Sequence, residues 1–535
     1  PCGLAAVEEV NTHMLGVARK YEATLEAVRT ASVAAFENNY RALGRELARL
    51  AAAVDDGRRV GGGPGGELAR INTALATLRA ACDEQGGVVP DENGDGGAPA
   101  RVVEAASVSG ESVEVAEKLA QALPATVTEL TLAASASAAS FAHLHALKRL
   151  ACCRGVAAGA TLPTLPRCLE ELVVARCSGI KAAVSFAHLR ALKTVNCGNT
   201  DFGDAALAML PPCLEELDMS DCSSVTGAVS LAHLPALKIV NFSGTGVDDA
   251  ALATLPPCLE KLDSNSCRGI TAAASFAHLP ALTTVNCSRT AVADMVLATL
   301  PPCLEKLDVG CSSGIMAAAS FAHLPALKTV NCCDTAVDDA ALATLPPCVE
   351  VVDVYSCSGI TAAASFARLP ALKTANCGYT AVGDAALATL PTGLEELDVD
   401  SCSGITAAAS FAHLTALTTL YCNNTAVSDA ALATLPPCLE MLYMGSCSVI
   451  TAAASFARLT ALQSLYCDNT TVGDAALATL PPGLEELDVD GCSGVTAATT
   501  LAHLPALQRL YCKGVTLTPA TIAALKGRGV SVDDK

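Results

Sequence analysis

The sequence predicts an α/β solenoid. It should be a curved parallel sheet of about 18 strand rungs in nine 45-residue double repeats, preceded by an α-helical hairpin or coiled coil. Three observations carry this expectation. Most cysteines fall on a fixed grid. Each period divides into two halves that open with the same apolar alternation. The first 83 residues carry heptad spacing instead.

The grid comes first because a length of 535 residues would otherwise suggest several globular domains. Cys152, Cys197, Cys287, Cys332, Cys377, Cys422, Cys467 and Cys512 recur at 45-residue intervals, with Phe242 in the vacant place. Cys177, Cys222, Cys267, Cys357, Cys402, Cys447 and Cys492 form a second grid. Cys168, Cys213, Cys258, Cys303, Cys348 and Cys438 form a third, with Gly393 and Gly483 standing in. Cys2, Cys82, Cys153, Cys311 and Cys333 lie off every grid. One period over most of a chain means a stacked array, in which no unit buries its apolar face alone.

Each period reads as two related half-units. Between Leu214 and Leu259 the first half is LEELDMSDCSSVTGAVSLAHLPA, 23 residues, and the second is LKIVNFSGTGVDDAALATLPPC, 22 residues. Leu214, Leu217 and Met219 alternate to one side of a short strand. Cys222 and Val225 then turn the chain inward. AHL or AALATL supplies a helical turn closing the rear of the core, and Pro211-Pro212 or Pro256-Pro257 ends it. This LxxLxLxx opening resembles the leucine-rich repeat, and Cys402-Ser403-Gly404-Ile405-Thr406 is similar to the step of its cysteine-containing subtype. The resemblance covers about residues 124–535. The regular, Ala-rich units resemble the leucine-rich-repeat proteins of trypanosomatid parasites, which implies a cytoskeletal or flagellar structural role.

The same geometry argues against a disulfide framework. Cysteines on one grid stand two rungs apart, about 10 Å, whereas a disulfide needs Cα atoms about 4.4–6.8 Å apart. So many unpaired thiols point to a reducing, intracellular compartment. The Cys332-Cys333 pair sends one thiol inward and one outward.

Residues 1–83 are expected to form a helical hairpin or coiled coil. Val7, Val10, Met14, Val17 and Tyr21 begin one stripe, and Phe36, Tyr40, Leu43 and Leu47 resume it. Leu68, Ile71, Leu75 and Leu78 make a second stripe after the turn at 57–66. These helices are expected to self-associate or to bind a helical partner. Residues 84–110 read as a flexible acidic Gly-rich linker, and 111–535 as the solenoid with caps at both ends. Residues 111–122 read as a capping helix, Thr516–Leu525 as a last helical turn and Val530–Val532 as a closing strand.

Composition narrows the partners. A net charge of −20 supplies no basic excess for nucleic acid or for an anionic membrane surface. Hydrophobic residues make up 51% of the chain but no long uninterrupted apolar span occurs. No phosphate-binding loop, H-E-x-x-H or G-x-S-x-G motif is present, so an enzyme is not expected. No cofactor or metal site is expected either. The histidine row, from His143 and His188 through His503 with Arg368 and Arg458 in two places, is spaced too widely to share a zinc ion.

The outward strand positions are the informative ones. Glu215, Glu260, Glu305 and their repeats alternate with Lys193, Lys238, Lys328 and Lys373, a self-neutralising pattern on neighbouring rungs. Asp218, Asp263, Asp308 and Asp353 alternate with Asn196, Asn241, Asn286 and Asn331, without the clustered spacing of a calcium loop. The pattern changes beyond about residue 350. Tyr421, Tyr443, Tyr466 and Tyr511 replace Asn or Asp, Tyr355 and Tyr379 sit at the seventh and eighth strand positions, and Thr418, Gln463 and Gln508 replace Lys. All six tyrosines are expected on the concave strand face. Tyrosine combines large area with few rotors, so these six are the candidate protein-binding residues. The function expected is therefore a non-catalytic interaction scaffold. The alternatives are a substrate-recognition subunit of a ubiquitin ligase and a secreted or surface repeat antigen.

Overall fold

The computed structural model describes residues 105–108, 123, 125–132, 141, 143–152, 165–177, 186–227, 229–496, 498–515 and 517–533. The helices expected within 1–83 and 111–122 lie outside these residues, as does most of 84–110. The chain divides into two compact units, Pro1–Val225 with His233–Leu237, and Thr226–Ala232 with Lys238–Lys535.

The first unit holds six described strands: β1 Ala105–Val108, β2 Glu129–Leu132, β3 Arg149–Cys152, β4 Glu171–Val173, β5 Thr194–Asn196 and β6 Glu216–Asp218. They pair in parallel and in chain order. The ladder starts inside the stretch read as linker: Ala105–Val108 matches Glu129–Leu132 one to one. One short helix, α1 Asp204–Leu207, lies at the rear.

The second unit continues the same design through β7 Ile239–Asn241, β8 Lys261–Asp263, β9 Thr284–Asn286, β10 Lys306–Asp308, β11 Thr329–Asn331, β12 Val351–Asp353 and β13 Thr374–Asn376. β14 Glu396–Asp398, β15 Thr419–Tyr421, β16 Met441–Tyr443, β17 Ser464–Tyr466, β18 Glu486–Asp488, β19 Arg509–Tyr511 and β20 Ser531–Asp533 follow. The strands from β7 to β20 pair in parallel and in step, so equivalent residues of successive half-units stand side by side. β20 is the closing strand, one residue beyond the expected position.

Local chemistry explains each rung. The first, fourth and sixth motif positions, such as Leu304, Leu307 and Val309, are at most 2% exposed. The strand stops because the eighth position takes left-handed backbone, at φ +60° in Ser266, +59° in Ser356 and +54° in Asn424. Cys267, Cys357, Cys402, Cys447 and Cys492 turn inward behind it, each at most 1% exposed. The rear carries short helices α2 Asp249–Leu252, α3 Asp294–Leu297, α4 Asp339–Leu342, α5 Asp384–Leu387, α6 Asp429–Leu432 and α7 Asp474–Leu477. The longer α8 Pro519–Gly527 covers the end, capped by the Thr518 hydroxyl. Phe276, Phe321, Phe366, Phe411 and Phe456 fill the space between rear and sheet at no more than 1% exposure.

One expectation needs correction. AALATL forms a helical turn, but FAHL at 276–279 does not. It is a single tight turn closed by Leu279 N–H to the Phe276 carbonyl at 2.9 Å. The following Pro280-Ala281 step is a second turn, which leaves no room for helix propagation.

Candidate functional site

The inward thiols have structural partners. The Cys357 thiol donates to the Cys332 carbonyl at 3.0 Å and contacts Thr335 Oγ1 at 3.5 Å. Cys402 and Cys447 repeat this with Cys377 and Cys422, each at 3.0 Å. Burial pushes the Cys287 thiol up to about 12, so it stays protonated. Sequence reasoning considered neighbours within a grid and missed that first- and second-grid cysteines meet across adjacent rungs. Cys287, Cys332, Cys357, Cys377, Cys402, Cys422, Cys447 and Cys467 are free thiols. The histidines also have a structural use. Nε2 of His278 and of His323 lies 3.2 Å and 3.0 Å from the last carbonyls of α2 and α3, Leu252 and Leu297. Arg458 reaches Ala433 O at 2.7 Å, which is why Arg can replace His.

The outward strand face carries the expected charge rows. Glu305 pairs with Lys328 at 3.1 Å and Glu350 with Lys373 at 3.7 Å. These pairs are well exposed and contribute little each. Behind them the fifth-position row closes the strand ends: Asn331 Oδ1 accepts Cys333 N–H at 2.9 Å, and Asp353 Oδ1 accepts Tyr355 N–H at 3.0 Å. Asn331 stands beside Asp308 in register and Asn376 beside Asp353, and each favours the carboxylate of its neighbour.

The six tyrosines do not form one patch. Tyr421, Tyr443 and Tyr466 end three consecutive strands and stack, with ring centroids 4.5 Å and 4.3 Å apart and interplanar angles of 16° and 5°. Their spacing follows the strand spacing, so the ladder imposes the parallel arrangement. Tyr355 and Tyr379 form a separate tilted pair at 5.1 Å. Tyr379 is 57% exposed and has left-handed backbone at φ +56°, a costly conformation for an aromatic residue. Tyr511 is set apart from Tyr466 by Asp488, its neighbour in register.

Glu486 joins the last two, and sequence reasoning missed it. Only 7% exposed, it pairs with Arg509 at 2.5 Å, and the Tyr466 and Tyr511 hydroxyls also favour its anion. Arg509 holds the Glu486 carboxyl below its usual range. Burial, and then the neighbouring Glu486, pushes the Tyr466 hydroxyl up. A third-position Glu beside a third-position Arg was visible in the sequence, but its burial depends on the flanking tyrosines.

The acids around this aromatic face are crowded. Burial, with Asp400, Asp353 and Glu396 nearby, raises Asp398 to about 6. Burial, with Asp490, Asp468 and Glu486 nearby, raises Asp488 to about 6. Where Lys would stand, Thr418 donates to the Glu395 carbonyl at 3.0 Å and Gln508 to the Glu485 carboxylate at 3.0 Å, both without neutralising charge.

No protein-family model matches the chain, and no curated protein matches it. Solved structures do. The functional domain of InlJ from Listeria monocytogenes, which includes a cysteine ladder, is 18% identical with a TM-score of 0.47 over 75% of this chain and 77% of that one. YopM from Yersinia enterocolitica is 16% identical with a TM-score of 0.43 over 76% and 85%. The Drosophila Toll–Spatzle complex matches at 13% identity with a TM-score of 0.45 over 73% and 54%. The fold itself rests on the ladder described above, with one three-residue parallel strand per 22- or 23-residue rung. It is a leucine-rich-repeat solenoid. Among the described residues, no helix is long and apolar enough to cross a membrane.

Proposed function

We propose that the chain is a non-catalytic scaffold that captures a basic segment of another protein on the outward strand face of β14 to β19. The stack of Tyr421, Tyr443 and Tyr466 between two groups of unneutralised acids carries this reading. The rings present hydroxyls and edges that cover aliphatic stems, while Asp398, Asp400, Asp488 and Asp490 supply charge for Lys or Arg heads. The exposed Tyr379 ring adds a face for a cation. The free cysteines support an intracellular, reducing setting. The likeness of the repeats to trypanosomatid proteins adds a cytoskeletal or flagellar role. Residues 1–83 would dock or dimerise.

The test is affinity capture from the native cell with three baits: wild type, Tyr421/Tyr443/Tyr466→Ser, and Thr418→Lys with Gln463→Lys. At about 1–2 kcal/mol per anchoring tyrosine, the triple variant should lose capture of the principal partner by more than about 100-fold. The Lys pair restores the neutralised pattern and should weaken capture while leaving the stack in place. Equal recovery of the same proteins by all three baits would remove this function.

A further inference from the structure

We propose that Cys311, Cys333 and Asp334 bind a thiophilic divalent cation of the zinc type. The period that keeps ladder thiols apart does not govern these two. Cys311 stands one position before Ser312, which fills the buried ladder place at 0% exposure. Cys333 stands one position after the buried Cys332. Neither thiol shares the burial of its ladder neighbour: Cys311 and Cys333 are both only partly buried.

Adjacent strands β10 and β11 bring them together. Cys311 N–H donates to the Cys333 carbonyl at 2.6 Å. Left-handed backbone at Cys311 and Asp334, φ +56° and +51°, turns the third group toward the first. Cys311 Sγ lies 3.7 Å from Asp334 Oδ2, and one ligand atom from each of the three residues lies within 4.8 Å of the others. The room is made by Gly310, where a Cβ would sit 2.6 Å from Cys333 Sγ. Asn265 and Tyr355 hold that position in the adjoining repeats.

The spacing suits tetrahedral coordination. Bonds of about 2.3 Å to sulfur and about 2.0 Å to oxygen put a sulfur and an oxygen ligand about 3.5 Å apart, and two sulfurs about 3.8 Å apart. The Cys311–Asp334 edge is already near that value. From a limit of 4.8 Å, the two thiols need to close by no more than about 1 Å. Binding converts two thiols and one cation into two metal–thiolate bonds, and two protons leave to solvent. Thiolate ligands select a soft or borderline ion over calcium or magnesium. The fourth position faces solvent, as in sites that exchange their metal or accept a ligand from a partner.

The test titrates the full chain, kept reduced with a phosphine, with Cd2+ and follows the thiolate-to-cadmium charge-transfer absorbance. Wild type should take up one more equivalent than Cys311→Ser/Cys333→Ser. Serine already occupies the corresponding places at Ser266, Ser356, Ser243 and Ser288, so that variant should keep its circular dichroism and melting curve. Asp334→Asn should weaken uptake by about 10-fold or more. Cys303→Ser removes an exposed thiol elsewhere and should change nothing at this site. Equal uptake by wild type and the double serine variant overturns the assignment, as does a Cys303→Ser variant that alone loses the extra equivalent.

Discussion

Asp398 should destabilise the folded chain at neutral pH, and Asp398→Asn should relieve it. The carboxyl titrates near 6 rather than 3.8, first because burial disfavours the anion and then because Asp400, Asp353 and Glu396 repel it. The row explains why this residue suffers more than its equivalents. Asp308 and Asp353 each have a neighbouring Asn side chain that favours the anion, Asn331 and Asn376. Tyr421 occupies that place for Asp398. A folded pKa above the unfolded one means that the fold holds a proton the unfolded chain has released. The contribution is therefore complete below about pH 4 and is lost as pH rises through about 6. A shift from 3.8 to about 6 corresponds to about 3 kcal/mol at most, and solvent screening of this half-buried group reduces it to about 1 kcal/mol. Asparagine keeps the turn, since Asn376 Oδ1 accepts Gly378 N–H at 3.2 Å much as Asp398 accepts Asp400 N–H at 2.8 Å. Thermal melts of wild type and variant at about pH 4.5 and about pH 7.5 provide the assay. The variant should gain about 2 °C over wild type at the higher pH and little at the lower one. A variant less stable at the higher pH, or a difference independent of pH, would refute the electrostatic account.

Two further perturbations probe the interior. Cys357→Ser should change stability by less than about 1 kcal/mol in urea unfolding, because Ser312 already makes the equivalent bond to the Cys287 carbonyl at 3.1 Å. Cys357→Leu should cost about 1–3 kcal/mol by overpacking a site with 0% exposure. Arg509→Met should lower the melting temperature at neutral pH by leaving the Glu486 carboxylate without its cation. Because the folded pKa of Glu486 is depressed, its contribution is present above the unfolded value of 4.5 and lost as pH falls through the folded one. Melts in acid should therefore bring the variant and wild type together.

The strand ladder was legible because it depends on period and side-chain alternation alone. Leu304, Leu307 and Val309 face inward wherever the rung sits. The FAHL turn was not legible, since Ala and Leu favour helix locally and only the following turn stops propagation. The candidate site was half legible. Tyr421, Tyr443, Tyr466 and Tyr511 followed from strand phase, but the division of the six tyrosines into a stack, a pair and a single ring depends on which rungs are adjacent. Nothing in the local pattern marks Glu486, because its burial comes from the rungs on either side. The convergence of Cys311 and Cys333 required adding registry to two one-residue slips.

In a stacked array each residue touches its equivalents on both neighbouring rungs, so a departure alters two contacts at once. Tyr421 in place of Asn removes a donor from Asp398 and gains a ring contact with Tyr443. Once one tyrosine is present, a second on the next rung gains a stacking partner, so three in succession can support one another within the chain. Clustering alone therefore does not require an external partner. The loss of Lys is different. Thr418 and Gln463 give up the kind of ion pair that Lys328 makes with Glu305, and no contact shown at either residue returns a neutralising charge. An exposed pair contributes little to folding, so stability hardly opposes its removal. Its removal nevertheless changes the sign of the field that an approaching protein meets. The acid excess around the stack, more than the stack itself, is thus the feature directed outward, and Thr418→Lys with Gln463→Lys tests it with the rings untouched.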